Sequence, residues 1–488
     1  MHEPPQLGSQ LEMISEVIPT ALAPCQTSVP RLNPRGLLNL PAEIIVMIMQ
    51  YLDGSDVLSL RKCAIELKGP SRERSVWLSI IQRDVTRLAR PFWLPKPLGE
   101  CSSKIIEKHL VGWSRGPTFT PTEPLRPSTR KFPVPDITFV HRLGFTPDGR
   151  FDLKVTLDGA IYSFDSHNAA RAAVLLCPKP SCDAVVVDRF TNMAFDCISG
   201  LADGELFPVT FTGAAMHFTK TSDVYGWENI VIEIWRFTRT ESGYSTQRLA
   251  SFIEDADRTV GHFSIYGEHI AYNVHDEGGI AIVDWTSAPA GTTAFPRIHV
   301  CPNGFPILLP GRRIAIIKED WISIHRWDNG YHNPGRRKLY LNAWGAEAEV
   351  WREEVPCGTL PLSPSSLYLV GDTARFVVTS IFGVTGVIVP LSGDLYRTVP
   401  LFKPKVKFHT LGAFRHFGYQ KGVMLGSDGT VTLLKYFWPD ERPVRGRKMV
   451  TFPGFNFTDN LNTVTFDEAR NEVSLWMDFT KIRMLYKL

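Results

Sequence analysis

The chain has 488 residues, 44% of them hydrophobic and 21% charged, with a formal net charge of +3. Its length suggests two to four domains of ordinary soluble composition. The near-balanced charge excludes the global basic field that nucleic-acid binders use. Cysteines at 25, 63, 101, 177, 182, 197, 301 and 357 are too scattered for a disulfide scaffold and read as reduced thiols, which points to the cytosol or nucleus.

Residues 1–36 hold several prolines, few aromatics and no sustained period, as expected of a flexible arm. The start, Met1-His2-Glu3-Pro4-Pro5, lacks the basic and apolar regions of a secretory signal. Helical patterns occupy 37–111. Pro41 suits a first helical turn, and Asp53-Gly54-Ser55 supplies a stop about three turns later. Between them Ile44, Ile48 and Leu52 form one stripe, Ile45 and Met49 a second beside it, and Val46 and Met47 fill most of the rest. One stripe suffices for a surface helix. The second calls for a large core or a partner protein, and residues 1–110 are too few and too polar to supply much core. After Gly69-Pro70, Ser71 is expected to cap a new helix with Val76, Trp77, Ile80, Ile81 and Val85 on one face.

From 112 to 137, prolines at 117, 121, 124, 127, 133 and 135 forbid helix and predict an extended connector and a domain boundary. From 138 to 488 the period becomes two. Phe151, Leu153, Val155 and Leu157 alternate with polar residues, Asp158-Gly159 turns, and Ile161-Tyr162-Ser163-Phe164 returns, which predicts a β-hairpin. Turn signals recur at Asp203-Gly204, Glu241-Ser242-Gly243, Glu277-Gly278-Gly279, Glu319-Asp320, Gly383, Ser427-Asp428-Gly429 and Arg470-Asn471. Their mean spacing, roughly 44 residues, is close to that of four-stranded propeller blades. The longer interval from 320 to 383 predicts an insertion. Radial stacking covers the faces that one blade leaves bare, and Trp235, Trp285, Trp327 and Trp476 suit packing between blades. The fold class is therefore a multidomain α + all-β chain, with short helices followed by a β-propeller of about seven blades; a pair of β-sandwiches is the alternative. The uncharged run 376–393 reads as two buried strands and a turn, because glycines and Pro390 interrupt it, so no membrane partner is expected.

Motifs for nucleotide, dinucleotide, zinc-protease and nucleophile-elbow chemistry are absent, so no catalytic residues, cofactor or metal are expected. Cys177 and Cys182 lack two further ligands at zinc spacing, and Cys197 stands alone. His262, His269 and His275, Glu353-Glu354 and Glu319-Asp320 read as ordinary strand and turn residues. Basic loops carry Arg336, Arg337 and Lys338, then Lys403, Lys405 and Lys407, then Arg442, Arg445, Arg447 and Lys448. Converging on one face, Arg336, Arg337, Arg445 and Arg447 would take a phosphorylated or acidic client peptide; on different faces they merely solubilise the domain.

Leu40-Pro41, Glu43-Ile44, Ile48, Tyr51-Leu52, Asp56-Val57-Leu58, Leu60-Arg61 and Trp77 stand in the order and approximate spacing of the F-box, and residues 38–83 resemble that module. Where F-boxes continue after Leu-Arg with a helix, this chain reads Cys63-Ala64-Ile65-Glu66-Leu67-Lys68 and breaks at Gly69-Pro70. Helices, connector and β domain together resemble fungal F-box proteins with propeller-type receptor domains. The resemblance implies a non-catalytic substrate-recognition subunit of an SCF-type ubiquitin ligase, partnered by the adaptor, through it by the cullin scaffold, and by an unknown protein client. By match to the pattern, Leu40, Pro41, Ile44, Ile48, Leu52, Val57, Leu60 and Trp77 are the adaptor-binding candidates, some of them shared with the module's own core. The rival expectations are a propeller scaffold outside any ligase and a propeller enzyme or lectin.

Overall fold

The computed structural model describes residues 35–87, 98–114, 128–131 and, between 139 and 487, the strands with most of their turns. The longest segments left aside are 1–34, 88–97, 115–127, 132–138, 200–209, 221–228, 334–348, 356–364, 404–410, 441–447 and 453–460.

The helical part comprises α1 (Arg35–Leu38), α2 (Ala42–Gln50), α3 (Gly54–Cys63), α4 (Arg74–Arg87) and α5 (Ser103–Ser114). Pro41 precedes α2 in extended conformation, and its carbonyl accepts the amides of Ile44 and Ile45. α2 ends at Gln50, short of the stop expected at 53–55, and those residues open the next helix, with Asp53 before α3 and Gly54 its first residue. Where the F-box pattern breaks, two 3₁₀ turns, Ile65–Lys68 and Pro70–Arg72, replace helix. Ser71 does not cap α4. It is buried, its Oγ accepts from Arg61 Nε at 2.7 Å and donates to Lys68 O, and its carbonyl accepts from Trp77 Nε1 at 2.9 Å. A hydroxyl already engaged with the preceding turn is not available to the following helix.

Residues 112–114 complete α5, and within the proline-rich stretch 128–131 form a strand. Seven antiparallel sheets follow among the described residues. Sheet 1 is a meander of Phe139–Phe145, Phe151–Thr156, Ile161–Asp165 and Val174–Cys177. Sheets 2 to 6 lie within 185–255, 263–300, 305–354, 368–402 and 411–452, and sheet 7 within 461–487. Sheet 7 takes its fourth strand from the other end of the domain: Ser128–Lys131 pairs with Ile482–Lys487, Ser128 opposite Leu485. The insertion expected between 320 and 383 supplies Tyr331–Asn333, which adds a fifth strand to sheet 3 beside Arg297–Val300. Eight predicted turn units become seven sheets because those at 203–204 and 241–243 both fall in the span of sheet 2.

Among the described residues, sheets 1 to 6 pack face to face on their neighbours in chain order. Phe151, Leu153 and Ile161 of sheet 1 meet Phe211, Trp235 and Phe237 of sheet 2. Ile232 and Phe252 then meet Ile270 and Tyr272, and Ile280 and Ile282 meet Ile314 and Ile316. Ile307 and Ile322 face Phe376 and Val387, and Val377 and Leu401 face Tyr419 and Trp438. Strands buried on both faces read as continuous apolar runs, usually a mark of parallel sheets. Here the packing of one sheet on the next gives antiparallel strands the same burial, as in Gly279–Asp284. The expected polar face of the first hairpin is accordingly wrong, since Asp152 and Thr156 are buried while Leu157 is exposed. The architecture is propeller-like. α4 lies against Tyr368–Val370, the first strand of sheet 5, and so joins the helices to the β domain.

Candidate docking surface on the helical module

Ile45 and Met49 of α2 point inward, 5% and 0% exposed, onto Val57, Val76, Trp77, Ile80 and Ile81. Among the described residues the other stripe is only partly covered, with Leu40 37%, Ile44 40% and Ile48 38% exposed. Met47 is 54% exposed and Tyr51 82%. Ile44, Met47, Ile48 and Tyr51 recur at intervals of three, one and three, so they share one face of α2, while Leu40 precedes the helix. Ile65, 79% exposed, lies on the 3₁₀ turn after α3.

The frame behind this strip is held by arginines. Arg61 makes a two-pronged pair with Glu107 of α5 (2.7 and 3.1 Å) while its guanidinium lies 5.8 Å from the centre of the Trp77 ring. Arg83 of α4 donates to Gln50 O at 3.1 Å and Leu52 O at 2.5 Å, satisfying carbonyls left open at the end of α2 and placing a cation where the helix dipole is negative. Arg74 donates to the carbonyls of Leu98, Gly99 and Cys101 and holds that turn on α4. The apolar strip is thus displayed on a braced three-helix frame.

Of the sequence-derived adaptor residues, Leu40, Pro41, Ile44 and Ile48 stand on the outer face, and Leu52 and Leu60 are half-buried. Val57 and Trp77 are fully buried in the module core and support the surface from inside. Met47 and Ile65 were missed as candidates; Met47 was legible, three residues from Ile44 on the same face. Arg74 and Arg83 carried no local signal, because their partners lie on other elements.

Chemical alternatives find little support in the β domain. Ser323 Oγ lies 2.7 Å from His325 Nε2, but Glu349 approaches that same nitrogen at 3.9 Å and Ser323 is 0% exposed. A nucleophilic triad needs an accessible hydroxyl and a carboxylate on the opposite ring nitrogen. Among the described residues, no group of three His, Cys, Asp or Glu side chains is placed to hold a metal. Cys177 is buried, and burial pushes its thiol well above the ordinary range, so it is a poor nucleophile or ligand. Cys197 is buried too, while Cys182 lies outside the described residues. His262 stacks on Phe305 and His269 packs edge-on to Trp327; His275 lies outside the described residues. Glu353 accepts from Thr398 of the neighbouring sheet. Arg336, Arg337, Arg445 and Arg447 all lie outside the described residues.

No family model and no curated protein matches the chain. Among solved structures it is similar to the β-propeller domain of Cps50 (Swd1) from Myceliophteria thermophila, at 11% identity and TM-score 0.43 over 74% of this chain and 100% of that one. It is also similar to BamB from Moraxella catarrhalis (11% identity, TM-score 0.31, 72% and 86% of the two chains) and to Kluyveromyces lactis Hsv2p (11%, 0.35, 72% and 97%). No helix among the described residues is long and apolar enough to cross a membrane.

Proposed function

We propose that the chain is a non-catalytic protein-interaction scaffold that docks a partner subunit through the outer face of α2, and that this partner is the adaptor of an SCF-type ubiquitin ligase. The β domain is then the client receptor, and the ligase acts by tethering the client near a ubiquitin-charged enzyme. One observation carries the reading: α2 turns Ile45 and Met49 inward and leaves Ile44, Met47, Ile48 and the adjoining Tyr51 and Leu40 part-exposed on its outer side. Fully burying a side chain of this size is worth about 1.5–3 kcal/mol, of which the exposed part of Ile44 or Ile48 leaves roughly 1 kcal/mol for a partner to supply, and a few such anchors together can dominate an interface. Residue order from Leu40 to Trp77 supports the adaptor as the occupant.

Co-expression with the adaptor tests it. The wild-type chain is expected to co-purify with adaptor, and Ile44→Asp with Ile48→Asp is expected to lose it while the β domain keeps its melting transition. Leu40→Ala with Pro41→Ala is the milder form of the same test. Retained binding in the Asp variant removes the docking assignment. A second reading, a scaffold outside any ligase, draws on α4 lying against sheet 5, which also suits a helical cap on the β domain. It predicts no adaptor in the complex.

A further inference from the structure

Leu395, 89% exposed, is the barest large apolar side chain among the described residues, and Leu391 beside it is 37% exposed. Both stand on the turn 391–396, which joins Gly383–Pro390 to Arg397–Phe402 at the outer side of sheet 5. The turn is held from several directions. Arg313 of sheet 4 donates to Pro390 O at 2.6 Å and to Leu391 O at 3.3 Å, and the Leu391 amide donates to Asp372 O at 2.6 Å. Arg326, also of sheet 4, and the Tyr396 hydroxyl each donate to Asp394 Oδ1 at 3.2 Å. Gly393 supplies the left-handed step at φ 82°. An apolar tip fixed in this way has little conformational freedom left to lose when a partner covers it.

The adjoining turn of sheet 4, Pro310-Gly311-Arg312-Arg313, carries a second anomaly. Arg312 has φ 52° and is the one non-glycine residue with positive φ among the described residues. A long side chain is strained there and glycine would not be, so the strain is retained for the sake of the head group. That guanidinium is at the surface, 5.9 Å from the centre of the Trp327 ring. Arg397, which follows the Leu395 turn, is exposed as well. Arg313 and Arg326 are engaged in bracing the turn, and Asp394 is engaged with them, so Arg312 and Arg397 face solvent against the single exposed carboxylate of Asp372. The surroundings of Leu395 are thus cationic, and guanidinium groups pair two-pronged with carboxylates.

We propose that the edge of sheets 4 and 5 formed by these two turns binds an acidic protein segment bearing a large apolar residue, which Leu395 contacts while Arg312 and Arg397 pair with flanking carboxylates. The binding is a property of the β domain alone; its use to recruit a client rests on the receptor function proposed above.

The test uses the full chain and a displayed library of random peptides about 15 residues long. Selected peptides are expected to be rich in Asp and Glu around a Leu, Phe or Trp, and to bind Leu395→Asp at least about tenfold more weakly, a change that so exposed a position tolerates without unfolding. Arg312→Gly is the sharper variant. It relieves the positive φ, so the melting midpoint should not fall, yet peptide affinity should drop at least about threefold. An arginine with only a structural role on Trp327 predicts the reverse, a lower midpoint and unchanged affinity. Absence of enrichment, enrichment of basic or uncharged peptides, or equal affinity for the variants overturns the proposal. So does a concentration-dependent dimer that Leu395→Asp dissolves, which would make the edge an interface between two copies. Adaptor co-purification reads the ligase assignment separately: a chain that binds no adaptor and still selects acidic peptides keeps this site and loses only that assignment.

Discussion

Gly386 has no room for a side chain, because a Cβ there would come within 2.5 Å of the Trp438 ring, which is buried between sheets 5 and 6. Gly386→Ala is expected to cost about 1–3 kcal/mol by overpacking, measured as a lower urea midpoint at unchanged slope. Arg297 makes two 3.0 Å bonds to Glu254 on the neighbouring sheet, and Tyr272 donates to the same carboxylate; Glu254 and Arg297 are almost fully buried. Arg297→Leu strands that charge and is expected to cost about 3–5 kcal/mol, more than Gly386→Ala in the same assay. His217 is fully buried, 3.9 Å from Glu233, and burial pushes it down to about 4. Its ordinary value is about 6.5, so the unfolded chain takes up this proton first as pH falls. The stability that neutral His217 preserves is complete above pH 6.5 and is lost toward pH 4, on the order of 3 kcal/mol. Urea midpoints at pH 7 and pH 4.5 should differ less for His217→Leu than for wild type. None of these roles was legible locally. A glycine, an arginine and a histidine in strands look ordinary until the facing sheet is known.

The elements themselves were more legible than their surroundings. The Asp158-Gly159 hairpin forms as expected, with Gly159 at φ 82°, which favours glycine. The glycine-interrupted run 376–393 falls mostly in two paired strands, Thr373–Ser380 and Gly383–Pro390, because glycine and β-branched residues favour a turned hairpin over a continuous helix. For α2, the double stripe announced two burial surfaces, but which one faced inward depended on Arg83, Trp77 and the turn around Ser71, all distant in sequence. That sidedness sets a contrast between neighbours. Ile44→Asp should leave the module's melting unchanged and weaken only docking, whereas Met49→Asp should unfold the helices. Circular dichroism melts of the full chain alongside adaptor pull-down separate the two.

At the scale of the whole molecule, turn spacing announced the sheets but not how the two ends of the domain meet. Ser128–Lys131 falls in a proline-rich stretch with too few residues for a two-residue period, and its partner lies at the opposite end of the chain. Ile482–Lys487 sits between that strand and Glu472–Met477, so it is an interior strand of sheet 7 rather than a tail. Removing residues 481–488 should therefore abolish cooperative unfolding, which urea melts would show as a broad, low-amplitude transition, whereas removing residues 1–8 should leave it intact.

The same pairing imposes an order on biosynthesis. Ser128–Lys131 leaves the ribosome long before Ile482–Lys487 exists, at about 5–20 residues per second, and in that interval its edge is open to wrong partners. Chaperone demand should consequently track translation speed across the β domain, and a slow-codon version of the gene should aggregate more than a fast one.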